Sequence, residues 1–161
     1  MKYRITLATI FVLFFFRAAV AQAANYSPQV VSVSPATGTC FTNQKVFFTA
    51  VYSDANGWQD IQHTLFLMNT SVRGINCPYL YYNQNTNKLY LRNDASTAWL
   101  GGYAPGYNGT VSNSYCTLNY KNTAVSGSGN NLTVKWAVIF KPAFGGKTYN
   151  TYLYVRDDAN A

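Results

Sequence analysis

The chain has 161 residues, of which only 11% are charged, and Lys and Arg outnumber Asp and Glu by 12 to 5. It has no Glu and a single His, which leaves little material for acid–base catalysis. The basic residues beyond position 24 are scattered singly, which argues against a nucleic-acid groove.

Lys2 and Arg4 precede a non-ionic, mostly apolar run from Ile5 to Phe16, too short to span a bilayer. Ala19-Val20-Ala21 and Ala21-Gln22-Ala23 each offer a small-residue cleavage site. This pattern predicts a signal peptide over residues 1–23 and a secreted or cell-surface product, in a compartment where disulfides persist. Cleavage after Ala23 leaves 138 residues with nine basic and five acidic side chains. No later apolar stretch is long enough for a membrane span.

Fourteen Tyr, with abundant Thr, Asn and Gly, give a strand-and-turn composition. Gln29 to Ser34 alternates and stops at Pro35, as an edge strand does. Lys45 to Tyr52 is a strong strand, broken by Asp54-Ala55-Asn56-Gly57. Ile61 to Met68 follows, with Ile61, His63, Leu65 and Leu67 expected on one face. Cys77 to Tyr82 and Lys88 to Arg92 flank a polar turn and read as a hairpin. Ala98-Trp99-Leu100 is a short apolar piece closed by Gly101-Gly102, and Tyr115 to Leu118 is another short strand. Gly127 to Asn130 reads as a loop. Asn131 to Lys141 alternates over ten residues, a period-two pattern foreign to a helix. Tyr149 to Val155 closes the series. Eight or nine short strands without a helix predict an all-β fold, an antiparallel immunoglobulin-like β-sandwich over residues 29–160, with a closed barrel as competitor.

Cys40, Cys77 and Cys116 allow three pairings. Their strand positions favour Cys77–Cys116, closing a loop of about forty residues worth roughly 3–4 kcal/mol. A Cys nucleophile needs a base beside it and His63 is the only histidine, so catalysis is not expected. Asp54, Asn56 and Asp60 offer oxygen ligands within seven residues, and Asp157 ends the last strand. In a sandwich these segments can meet at one pole and hold Ca²⁺, although the glycine spacing is not that of an EF-hand. Ordinary turn-capping is the competing reading of the same residues. Tyr79, Tyr81 and Trp99 are candidate sugar-stacking rings, against the alternative that such rings fill the core.

Several segments together resemble a module of secreted bacterial multidomain proteins, regarded as immunoglobulin-like or fibronectin-III-like. They are Val31-Ser-Val-Ser-Pro35, Val51-Tyr-Ser-Asp-Ala-Asn-Gly57, Leu80-Tyr-Tyr82, Lys88-Leu-Tyr-Leu-Arg-Asn-Asp94, Ala98-Trp-Leu-Gly-Gly102, Ser126-Gly-Ser-Gly129 and Lys141-Pro-Ala-Phe144. The resemblance covers roughly residues 29–160. It implies cysteines matching Cys77 and Cys116, while Cys40 departs from its pattern. It implies no activity and no established site. The expectation is a non-catalytic spacer or adhesion module whose partners are other extracellular domains or cell-surface polymers. The alternative is a carbohydrate-binding module using surface Tyr and Trp. A binder places at least two coplanar exposed rings beside polar side chains, whereas a spacer buries most rings or scatters them singly.

Overall fold

The computed structural model describes residues 24–159. The expected signal peptide over residues 1–23 lies outside the described residues. Within them the fold is all-β, with eleven strands, three 3₁₀ turns and no α-helix. No helix is long and apolar enough to cross a membrane among the described residues.

The strands are β1 (Gln29–Ser34), β2 (Lys45–Ser53), β3 (Ile61–Asn69), β4 (Tyr79–Asn83), β5 (Lys88–Arg92), β6 (Trp99–Tyr103), β7 (Thr110–Ser112), β8 (Cys116–Asn119), β9 (Ala124–Ser128), β10 (Asn131–Phe140) and β11 (Asn150–Asp157). They form two antiparallel sheets. One has the order β1-β2-β10-β8-β7, with β9 also on β10; the other runs β11-β3-β4-β5-β6. Both sheets turn apolar side chains into one shared core, a sandwich-like arrangement.

Strand β10 is the spine of the first sheet. Its alternation places Leu132, Val134, Trp136, Val138 and Phe140 inward, and Trp136 is fully buried opposite Phe48 of β2. Phe48 and Trp136 both pack on Phe66 of β3, at centroid distances of 5.2 and 6.1 Å, which couples the two sheets. Truncating Trp136 to alanine removes a large buried ring, at a cost of about 3–5 kcal/mol.

Strands β7 and β9 escape the sequence pattern. Strands β8 and β9 occupy successive halves of one edge of β10, interrupted by the 3₁₀ turn Tyr120–Asn122. That turn drives Tyr120 into the core, and Thr123 Oγ1 takes over the β10 ladder by accepting from Ala137 N at 3.1 Å. The expected loop at Gly127 belongs instead to β9, where Gly127 pairs with Leu132 of β10, and the Trp58 ring lies where a Cβ at Gly127 would stand. The expected stop at Gly101-Gly102 is likewise inside β6. Both glycines adopt positive φ, 98° and 103°, and pack against Tyr120 and Tyr90.

The expected single face of β3 is split. Gln62 is an extra residue between Ile61, paired with Asp157, and His63, paired with Arg156. This bulge leaves Ile61 fully buried in the core, while His63 and Leu65 sit half-buried on the outer side.

The Cys77–Cys116 bond expected from sequence is not formed: all three cysteines are free thiols. Cys77 Sγ donates to Arg73 O at 3.4 Å. Asn113 bridges the two cysteine backbones, donating to Cys77 O at 3.0 Å and accepting from Cys116 N at 2.9 Å. Burial first, and then the neighbouring Cys77, push the Cys116 thiol well above its ordinary pKa.

Candidate functional site: an aromatic sheet face

Alternation fixes which side chains of the second sheet point away from the core. Leu80 and Tyr82 of β4, and Leu89 and Leu91 of β5, are buried. Their neighbours Tyr79, Tyr81, Tyr90 and Arg92 are therefore carried on the outer face, where they are half-buried. Register adds the rest of the band. Trp99 opposes Arg92 across β5–β6, Tyr81 opposes Tyr90 and Leu65, and Tyr154 of β11 opposes Leu65.

The rings form one continuous network. Tyr81 lies 5.3 Å from Tyr90, with their planes 28° apart, and 5.0 Å from Trp99. Tyr79 meets Trp99 at 5.2 Å. On the other side His63 lies 5.4 Å from Tyr81 and 6.0 Å from Tyr154. The sequence-predicted Tyr79, Tyr81 and Trp99 are thus neighbours, joined by Tyr90, His63 and Tyr154. Strand spacing makes the band about 20 Å across five strands.

Polar groups hold the rings. Arg92 places its guanidinium 4.7 Å from the Trp99 centroid and donates to Ser96 O at 2.8 Å. Asn83 donates to Tyr81 Oη at 2.7 Å, and Asn150 donates to Tyr152 Oη at 3.3 Å. His63 Nδ1 lies 3.0 Å from Gln62 Oε1. Burial, and then Arg156, lower the His63 pKa, so its imidazole is neutral at pH 7. Burial raises the Tyr79 phenol, so this side of the site carries hydroxyls and not phenolates.

The first sheet offers a contrast. Its outer face mixes Lys45, Thr49, Thr133 and Lys135 with Phe47 and Val51, and Lys135 sits 4.5 Å from the Phe47 centroid. Among the described residues, the outer face of the second sheet carries the longer run of rings. A hollow of about 500 Å³ lined by Cys40, Phe144, Lys147 and Tyr149, among others, lies apart from these rings.

Of the four residues expected to hold Ca²⁺, Asp54, Asp60 and Asp157 come together. Asn56 is turned elsewhere: its Oδ1 accepts from Tyr26 N and its Nδ2 donates to Ala24 O, both at 2.8 Å. Sequence reasoning missed the parts of the aromatic band supplied by His63 and Tyr154, since only register places them beside Tyr81.

Comparison with protein-family models, with curated proteins and with solved structures found no match.

Proposed function

We propose that the chain is a non-catalytic extracellular module of immunoglobulin-like type that adheres to polysaccharide through the outer face of its second sheet. The observation that carries this reading is the contiguous band of half-buried Tyr79, Tyr81, Tyr90 and Trp99, flanked by His63 and the exposed Tyr154, on the outer face of the second sheet. A sandwich at rest in water turns polar side chains outward, and a connected apolar face marks a contact surface. Planar rings fit the C–H faces of sugars, and the phenol hydroxyls of the same tyrosines serve to meet sugar hydroxyls. An outer sheet face suits an extended polymer better than a small molecule, which prefers a concavity. The rings are clustered, which favours recognition over a passive spacer. His63 is surrounded by rings and an amide, an arrangement that suits contact better than proton transfer.

The test is binding of the full chain to a glycan array and to insoluble polysaccharides. Trp99→Ala and Tyr154→Ala each weaken retention by about tenfold, the scale of a lost aromatic anchor. Phe47→Ala, on the other sheet, leaves it unchanged. Failure to bind any glycan while the fold is intact overturns the reading.

A further inference from the structure

Asp54 follows the end of β2, Asp60 closes the 3₁₀ turn Trp58–Asp60, and Asp157 ends β11. Each offers an oxygen within 4.8 Å of the others. Asp54 is 1% exposed and Asp157 is fully buried. Asp54 Oδ1 accepts from Asn56 N at 2.8 Å, but its Oδ2 is buried with no hydrogen-bond partner. An ionised oxygen withdrawn from water without a donor is costly, and two neighbouring carboxylates raise that cost.

We infer that Asp54, Asp60 and Asp157 form a Ca²⁺ site at this pole of the molecule. Oxygens sharing one Ca²⁺ at 2.3–2.6 Å lie at most about 5 Å apart, which the cluster satisfies. Ca²⁺ accepts such an irregular set of oxygens, whereas Mg²⁺ demands near-ideal octahedral geometry. A hard dication supplies the missing partner of Asp54 Oδ2 and offsets the mutual repulsion of the three acids. The backbone is already braced for it. Asp158 N donates to Asp60 O at 2.9 Å, tying the 3₁₀ turn to the end of β11. The site also reaches the residues that precede β1. Asn25 Nδ2 donates to Asp157 Oδ2 at 2.7 Å, while Asn56 holds Ala24 and Tyr26. Ca²⁺ therefore fastens this strap, the β2–β3 connection and the last strand at one point. Asn56 acts here as the strap's anchor and not as a ligand.

The experiment is calorimetric titration of the EDTA-treated full chain with CaCl₂, with a thermal melt at each concentration. One site with a dissociation constant near 10⁻⁴–10⁻³ M, the range of extracellular modules, is expected. Calcium at about ten times that value raises the melting temperature by roughly 4 °C. Asp60→Asn weakens binding at least about tenfold by removing one ligand charge. Asp54→Asn abolishes the calcium response yet melts no lower than the calcium-free parent, because it removes a buried charge; a purely structural carboxylate gives the opposite sign. No heat and no shift at about 10 mM calcium, with the circular dichroism of a folded β protein, overturns the inference.

Discussion

His63 shows how one side chain can report on the sheet around it. It is half-buried among Tyr81 and Tyr154, and both its burial and Arg156 lower its pKa. The unfolded chain protonates near pH 6.5 and the folded chain only below that. The unfolded state thus binds more protons between the two values, so stability rises with pH there. His63's contribution is complete above pH 6.5 and is lost as pH falls through the folded pKa. Urea midpoints are expected to decline between pH 7 and 5.5, and His63→Gln is expected to flatten that decline. Gly127 makes a second point at this scale. A Cβ there meets the Trp58 ring, so Gly127→Ala is expected to cost about 1–3 kcal/mol, visible as a lower melting temperature. Neither environment is legible in the sequence. His63 reads as one member of an alternating run, and Gly127 reads as a loop residue, because the bulge at Gln62 and the Trp58 contact arise only from pairing between distant segments.

Among the elements, legibility follows length. Strand β10 displays ten residues of alternation and was evident, as was the β4–β5 hairpin around its polar turn. Strand β7 has three residues, and β9 carries a glycine and two serines, so neither shows a hydrophobic period. The chain between β8 and β9 contributes Tyr120, whose hydroxyl is buried without a hydrogen-bond partner, and burial raises its pKa to about 12. Tyr120→Phe deletes that unsatisfied group and is expected to leave stability unchanged or raise it by about 1 kcal/mol. The same hydroxyl is what a Cβ at Gly101 of β6 would strike, at a residue whose φ is 98°. Gly101→Ala should therefore be less damaging in the Tyr120→Phe background, with a coupling of roughly 0.5–3 kcal/mol in a double-mutant cycle. The cycle checks whether β6 and the Tyr120 turn act as a unit.

At the scale of the molecule, the two sheets share a core but face the solvent with different chemistry. The first sheet carries lysines and threonines; the second carries rings. The candidate pair Tyr79 and Tyr81, and also Trp99, were identifiable by type, but their assembly across β4 and β6 depends on strand order, which composition does not encode. Adhesion through this face relies on ring contact and not on the positive charge of the chain. Glycan retention is therefore expected to change less than about twofold between 0.1 and 1 M NaCl, whereas capture of an acidic polymer by scattered lysines would collapse over the same range. A retention assay across that series checks the distinction.

The asparagine at the end of β3 has a practical consequence. Asn69 Nδ2 donates to Arg73 O at 2.7 Å and to Ile75 O at 3.3 Å, so both its hydrogens are engaged in shaping the loop that leads to Cys77. Asn69-Thr-Ser is also an acceptor for N-linked glycosylation, as is Asn25-Tyr-Ser at the strap. Attachment of an oligosaccharide at either amide forces the local structure open. Production in a eukaryotic secretory host is thus expected to yield a heterogeneous, loosened protein. Bacterial export is the route to homogeneous material, or Ser27→Ala and Ser71→Ala, which remove these two acceptors while leaving both amides in place, combined with Thr110→Ala and Thr133→Ala at the remaining Asn108-Gly-Thr and Asn131-Leu-Thr sequons.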